Sequence, residues 1–152
     1  MSSAGIRYHE GTRYQRAQAA RQVLTADGIL CAAAASMLAA APAALPVLGL
    51  RRRSRWPLVA ALGATAGLCM TGASRRRPPA ALMTAAAVVN LGWVVACTST
   101  LHRGTGIGKA AMVVTATFDA TAATLQWILR PDDDRLLFEH LPEDLLAKAV
   151  TS

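Results

Sequence analysis

The chain has 152 residues, of which 53% are hydrophobic and 16% charged, and its formal net charge is +7. Apolar residues surround each helical stretch of about 20 residues instead of forming one stripe, and most charges lie between the stretches. This pattern excludes an ordinary soluble domain and predicts an all-α integral membrane protein. The arginines flank apolar runs and form no separate basic domain, so we expect no nucleic-acid binding.

The predicted organisation has three parts. Residues 1–22 form a basic N-terminal segment, expected to lie as an interfacial helix among the lipid headgroups. Residues 130–152 form a tail whose leucines recur at helical spacing, which predicts an amphipathic helix. Between them, residues 23–129 are predicted to form an up-down bundle of four transmembrane helices, with spans at about 24–45, 56–73, 80–98 and 107–129.

Arginine clusters and tryptophans mark the predicted membrane edges, because tryptophan favours the interface and arginine attracts anionic headgroups. Lys and Arg are more numerous on the side that holds both termini, which predicts cytoplasmic termini in a bacterial plasma membrane. Asp27, near the predicted start of the first span, is expected to be interfacial and to face the positive helix end. The predicted anchors are Trp56, Trp127, Arg51, Arg52, Arg53, Arg75, Arg76 and Arg77.

Small and sulfur-containing residues are interpreted as packing elements. Gly63 and Gly67 have the GxxxG spacing that allows close approach of two helices, and we expect them to pack inside the bundle. Cys31, Cys69 and Cys97 have no CxxC spacing and no neighbouring histidine, so they are expected to be buried packing residues and not metal ligands.

The fourth predicted span is the most polar. Asp119 lies at its middle, where an Asp costs roughly 2.5–3.5 kcal/mol even on lenient insertion scales. Thr115 and Gln126 share its helix face, and Asn90 of the third span could reach it. Asp119, Thr115, Asn90 and Gln126 therefore form the candidate intramembrane polar site. Such a group could bond helices together as a structural element, or it could titrate in transport.

Catalytic and cofactor signatures are missing from the sequence. His9, His102 and His140 all fall in predicted tails or loops, and no HExxH, GxSxG or phosphate-binding glycine loop occurs. We therefore expect a non-enzymatic protein with no metal and no cofactor, in a structural or accessory role. Its expected partners are the bilayer and, in addition, other membrane subunits or further copies of itself. The alternatives are an oligomeric proton- or cation-coupled permeation protein centred on Asp119, and an accessory subunit of a larger, respiratory-type membrane complex.

Three segments carry a resemblance to a group of bacterial proteins. LTADGILCAAAA opens the first span, VVNLGWVVA lies in the third, and TGIGKAA leads into a fourth that ends in ATLQWILR. With these segments the chain resembles small four-span membrane proteins of uncharacterised function that are common in actinobacteria. The resemblance implies a four-helix membrane fold and no established activity. Asp119 and the tail from Asp132 depart from the pattern of that group.

Overall fold

The computed structural model describes residues 3–131, with side chains from Tyr14 onward apart from that of Ala44. In this part of the chain the structure is all-helical and contains no β-strand. The predicted C-terminal amphipathic helix, from Asp132 onward, lies outside the described residues. Four long helices and one short one follow each other along the chain: α1 (Ser3–Ala40), α2 (Ala44–Val47), α3 (Arg55–Ser74), α4 (Ala80–Thr100) and α5 (Gly106–Ile128).

The first helix differs from the sequence prediction. The sequence predicts an interfacial helix over residues 1–22 and a separate first span after it. In the structure both belong to one helix, because α1 runs without a break from Ser3 to Ala40. Its alanines, glutamines and arginines favour helix, which explains the continuity. The helix ends at Ala40 and not near residue 45, because Pro42 cannot supply the next backbone donor and disfavours helical geometry in the residue before it.

The remaining long helices, α3, α4 and α5, begin and end close to the predicted positions, and the sequence explains their ends. Pro78 and Pro79 separate α3 from α4, with Pro79 in extended geometry immediately before α4. Thr105 precedes α5, and its side-chain oxygen accepts a hydrogen bond from the Gly108 backbone N–H at 3.2 Å. This bond satisfies one of the free donors of the first helical turn.

Three segments are long and apolar enough to cross a membrane: Tyr14–Ala40, Arg52–Ser74 and Ala80–Arg103. Large apolar side chains on these segments are exposed, among them Ile29, Met70 and Val95. Polar side chains lie inside instead, an inversion that suits a lipid surrounding. α5 has membrane-spanning length but does not reach the same apolarity, since it carries Lys109, Asp119 and Gln126.

The long helices pack as antiparallel neighbours. α1 packs most extensively on α3, and α4 on α5. The small core of the α1, α3 and α4 contact consists of three alanines together with Leu24, Cys69 and Met83. Gly28 faces Cys69 and Met70, and Gly72 faces Leu24, so missing Cβ atoms at these two positions permit the close approach of α1 and α3.

Two arginines form hydrogen bonds between α1 and α3, one at each end of the contact between the two helices. Arg21 of α1 donates through Nε to the carbonyl of Ala73, at 3.0 Å. Arg55 of α3 donates to the carbonyls of Leu38, at 3.1 Å, and Ala39. Each guanidinium therefore satisfies carbonyls in the last turn of the other helix, where the helix dipole also favours positive charge.

The connection after α1 is held against the start of α5. Val47 O accepts from the Thr105 backbone N–H at 3.2 Å and from the Thr105 hydroxyl at 3.1 Å. Gly49 has a φ of 70°, and a Cβ there would meet the backbone of Arg103 at 2.7 Å. Only glycine fits this combination of conformation and contact.

Candidate intramembrane polar site

The polar centre of the molecule is Asp27, which is 1% exposed. Its Oδ2 atom accepts hydrogen bonds from Asn90 Nδ2 at 2.8 Å and from Gln126 Nε2 at 2.8 Å. The Cys69 thiol also donates to Oδ2, at 3.4 Å, and the Cys31 thiol donates to Oδ1 at 3.7 Å. We call these five residues the Asp27 cluster. It joins side chains from all four long helices.

Local helix geometry places these side chains together. Asp27 and Cys31 are separated by one turn of α1 and therefore share a face. Asn90 lies at the middle of α4 and Gln126 lies in the last turn of α5, both fully buried. The close approach of α1 and α3 at Gly28 brings Cys69 to the same point.

The amides of Asn90 and Gln126 also bond to each other. Asn90 Nδ2 donates to Gln126 Oε1 at 3.2 Å, so both of its donor positions are used. Its oxygen is different: Asn90 Oδ1 is buried and has no hydrogen-bond partner within the described residues. A buried acceptor without a partner carries a desolvation cost, so this atom is the anomaly of the cluster.

Sequence reasoning assigned Asp27 to the wrong environment. It was expected at the membrane interface, near a helix N-terminus, but α1 begins far upstream and leaves Asp27 well inside the helix. The sequence did contain a signal: a carboxylate inside the apolar segment Tyr14–Ala40, followed one turn later by Cys31. Asn90 and Gln126, both predicted site residues, are brought together by the structure, but around Asp27.

Asp119 is buried, as predicted, but it is not a member of the Asp27 cluster. It is 8% exposed, and its carboxylate accepts no hydrogen bond from any side chain or backbone group in the described part of the chain. It is separated from Gln126 by seven residues, or roughly 10 Å along the α5 axis. Thr115 is exposed and does not bond to Asp119, because its side chain lies on the outer surface of α5. The structure therefore does not support the predicted pairing of Asp119 with Thr115 and Asn90.

The predicted packing role of Gly63 and Gly67 also differs from the structure. Both glycines are exposed on α3, and a Cβ added at either would meet no atom within 4 Å. The GxxxG spacing is present, but it faces away from the other helices of the chain.

The predicted interface anchors are on the surface. Trp56 and Trp127 are exposed, and a guanidinium lies over each ring: Arg55 at 4.8 Å from the Trp56 centroid and Arg130 at 4.3 Å from that of Trp127. Such cation–π pairs suit headgroup depth, where one side of the pair is wet. The six arginines predicted as anchors are all exposed, and they lie at the connections between helices. They are Arg51, Arg52, Arg53, Arg75, Arg76 and Arg77.

An apolar groove of about 600 Å³ lies between α4 and α5. Val94, Cys97 and Thr98 line it from α4, and Met112 and Val113 are among its lining residues on α5. No residue of the Asp27 cluster and no carboxylate reaches it. Among the described residues, no group of three or more His, Cys, Asp or Glu side chains is arranged to hold a metal ion.

Comparison of the chain with protein-family models, with curated proteins and with solved structures gave no match. Over residues 3–131 the fold defines the class to which the chain can be assigned: helices without β-strands, three of them long and apolar enough to cross a membrane.

Proposed function

We propose that the protein is a small four-span membrane protein with a structural or accessory role, in which the Asp27 cluster fixes the arrangement of the helices. The observation that carries the proposal is the convergence of polar side chains from all four long helices on one buried carboxylate. In lipid, hydrogen bonds between helices are a principal source of specific association, because apolar surface alone does not distinguish a helix from the surrounding acyl chains.

The fourth span in this proposal is α5, which has the length to span a membrane but no segment as apolar as the three candidate spans. Its exposed threonines do not prevent insertion, since the hydroxyls of Thr117, Thr121 and Thr124 each donate to the carbonyl four residues earlier at 2.8–2.9 Å. Asp119 and Gln126 are buried against the other helices. The exposed surface of α5 that would face lipid is made of large apolar side chains. They are Ile107, Val113, Val114, Phe118, Leu125, Trp127 and Ile128.

The span count can be tested with single cysteines in a full-length chain whose native cysteines are replaced by alanine. A membrane-impermeant maleimide is applied to intact cells that carry Ser54→Cys, Arg76→Cys, His102→Cys or Arg130→Cys. With four spans, positions 76 and 130 lie on one side and positions 54 and 102 on the other. If position 130 is labelled together with position 102, α5 does not cross and the four-span proposal is wrong.

The orientation in the proposal places both termini in the cytoplasm of a bacterial cell, with the Arg75–Arg77 connection on the same side. In that orientation positions 76 and 130 remain unlabelled in intact cells and become labelled after permeabilisation. The reverse labelling would retain four spans but overturn the orientation.

The structural role predicts stoichiometric association with other membrane subunits or with further copies of the chain, in the bilayer and through anionic headgroups at the arginine clusters. The direct test is purification from native membranes in mild detergent, with subunit masses measured for the intact assembly. A stable, stoichiometric assembly supports the accessory role, including that of a subunit in a larger respiratory-type complex. A lone monomer that conducts ions in liposomes contradicts it.

A second candidate function is an oligomeric proton- or cation-coupled permeation protein. One observation favours it: Asp27 and Asp119 are both buried, and no Lys or Arg side chain bonds to either within the described residues. Ionisable residues inside a membrane often mark ion pathways. Flux of protons, Na⁺ and K⁺ into liposomes, with wild type and Asp119→Asn, separates the two functions. The structural role predicts no flux above that of empty liposomes.

A further inference from the structure

We propose that the groove between α4 and α5 binds one anionic phospholipid, with an acyl chain lying in the groove and the phosphate bound by Arg103 and Lys109. The proposal rests on the four-span arrangement proposed above, because only a membrane-spanning α5 exposes the groove to lipid. It adds a specific ligand, whose chain and phosphate are recognised at two parts of one site.

The groove matches an acyl chain in polarity. Its lining includes four threonines, and each hydroxyl is bonded within its own helix. Thr98 and Thr117 donate to the carbonyls four positions earlier at 2.8 Å and 2.9 Å, and Thr121 and Thr124 do the same at 2.8 Å. The threonines therefore present methyl groups to the groove, and an apolar occupant takes no hydrogen bond from them.

The groove also matches an acyl chain in size. It has a volume of about 600 Å³ and extends along α5 from Met112 to Leu125, which is roughly 20 Å of helix. One leaflet of a bilayer contributes about 15 Å of hydrocarbon. The small side chains of Ala116 and Ala120 leave the space open. An acyl chain that enters from the headgroup region can thus remain in the groove over the full depth of its leaflet.

One end of the groove lies at a connection that carries positive charge. Leu101, a lining residue, precedes Arg103 by two positions. Lys109 lies one helical turn before the lining residue Val113, so both share one face of α5. The Lys109 side chain lies beside the same connection, since a Cβ added at Gly104 would be 3.7 Å from Lys109 Cγ. The two cations therefore flank the end of the groove.

These cations have no counter-charge within the bundle. The sequence contains no Asp or Glu from residue 29 to residue 118, and the two carboxylates whose side chains the structure describes, Asp27 and Asp119, are buried. Arg103 and Lys109 are both exposed. With both termini on the other side of the membrane, as proposed, the acidic residues beyond α5 are separated from them by the bilayer. The compensating anion must come from outside the chain, and phospholipid phosphates surround this end of the groove.

A net anionic headgroup suits the two cations better than a zwitterionic one. Arg103 Nε donates to His102 Nε2 at 3.1 Å, which orients the guanidinium and leaves its terminal nitrogens for phosphate oxygens. A long lysine stem can lie along apolar surface while its ammonium stays at headgroup depth. The choline or ethanolamine of a zwitterionic lipid would bring a third cation to the site, whereas phosphatidylglycerol brings none.

The experiment titrates the purified full-length chain in neutral detergent micelles with dioleoylphosphatidylglycerol, and native mass spectrometry counts the bound lipid. We expect one tightly bound phosphatidylglycerol per chain, with dioleoylphosphatidylcholine binding about tenfold more weakly or less. Inorganic phosphate should not displace the lipid, because it has no chain to occupy the groove. Size-exclusion profiles and helix content confirm that each variant is folded.

The charge of the site is tested by a matched pair of double variants. Arg103→Gln with Lys109→Gln should weaken phosphatidylglycerol to the affinity of phosphatidylcholine. Arg76→Gln with Arg77→Gln removes the same charge from exposed arginines at the other end of α4 and should change the affinity by less than about twofold. An equal loss in both double variants would mean diffuse attraction to a basic protein and would overturn the site.

The groove is tested by a second matched pair. Ala116→Leu fills the space between α4 and α5 and should weaken both lipids, whereas Ala111→Leu makes the same change at an exposed α5 position outside the lining. Unchanged binding in folded Ala116→Leu removes the acyl chain from the groove. A wild type that is dimeric without lipid, and that Ala116→Leu makes monomeric, assigns the groove to a second copy of the chain.

The remaining outcomes separate this proposal from the four-span proposal. Wild type that binds both lipids equally, or whose phosphatidylglycerol is displaced by inorganic phosphate, rejects the lipid site even if Ala116→Leu fails to fold. If cysteine labelling still gives four spans, the proposed function is retained in that case. Labelling that shows α5 not to cross the membrane rejects both.

Discussion

The two buried carboxylates should differ in how much stability is lost when each is replaced by leucine. Leucine branches at Cγ as aspartate does but is larger, so Asp27→Leu and Asp119→Leu leave no cavity, share a cost of overpacking and both remove a polar group from the interior. The difference lies in the partners. Asp27 Oδ2 accepts from Asn90 and Gln126, whereas no hydrogen bond of Asp119 is found in the described part of the chain.

The magnitude follows from the donors left behind. Asp27→Leu deprives two buried amides of their acceptor, and each unsatisfied group costs about 1–3 kcal/mol. Hydrogen bonds between membrane helices average about 0.6 kcal/mol, because the separated helices also find partners, so the lower part of that range applies. We expect Asp27→Leu to lower the free energy of unfolding by about 2–4 kcal/mol more than Asp119→Leu does. Asp119→Leu leaves no donor without its acceptor and carries only the cost of overpacking, about 1–3 kcal/mol.

The assay is unfolding of the full-length chain by sodium dodecyl sulfate in mixed lipid–detergent micelles, followed by helix content and by tryptophan fluorescence. Asp27→Asn is the intermediate control, since it keeps the shape and one acceptor oxygen, and it should retain part of the lost stability. Equal destabilisation by Asp27→Leu and Asp119→Leu would refute the reasoning, because it would mean that the hydrogen bonds of Asp27 contribute nothing beyond burial of a carboxylate.

Three further pairs of variants test local contacts by the same unfolding assay. Gly108→Ala places a Cβ against the Val47 carbonyl, where only backbone could move, and should cost about 1–3 kcal/mol, whereas Gly106→Ala meets nothing within 4 Å and should gain about 0.4–1 kcal/mol. Arg55→Gln loses the bonds to the α1 carbonyls and should cost about 1–2 kcal/mol, while exposed Arg53→Gln should change stability by less than about 0.5 kcal/mol. Gly63→Ala and Gly67→Ala should each gain about 0.4–1 kcal/mol in the monomer, so a loss would show that this face packs against something in the micelle.

The helices could be predicted because residues close in sequence, prolines and a capping threonine, determine where the helices begin and end. Pro42 ends α1, Pro78 and Pro79 separate α3 from α4, and Thr105 caps α5. The inward position of Asn90 and Gln126 was also predictable, since amides in a span avoid lipid. These inferences need only the periodicity of one helix and the cost of exposing a polar group.

The centre of the site could not be predicted by the same means. The depth of Asp27 depends on where α1 begins, and a gradual change from basic to apolar residues over 13–24 contains no signal for a break. The direction of the Gly63 and Gly67 face depends on how α3 is rotated against three other helices, which GxxxG spacing does not encode. Asp119 was predicted to be the centre of the polar site because it lies at the middle of its own helix. The hydrogen-bond partners of a buried side chain depend instead on the neighbouring helices.

The composition of the helices explains why one polar cluster can matter so much. Alanine dominates the buried core, and the large buried apolar side chains are few, chiefly Leu24, Leu45 and Met83. Alanine side chains are short and interdigitate little. Several rotations and shifts of one helix against another would therefore bury a similar apolar area. Asp27 accepts both amides only when α1, α4 and α5 are in one register, because the bonds of 2.8 Å tolerate little displacement. On the proposed structural role, we expect the cluster to select one arrangement among packings that apolar contacts distinguish weakly.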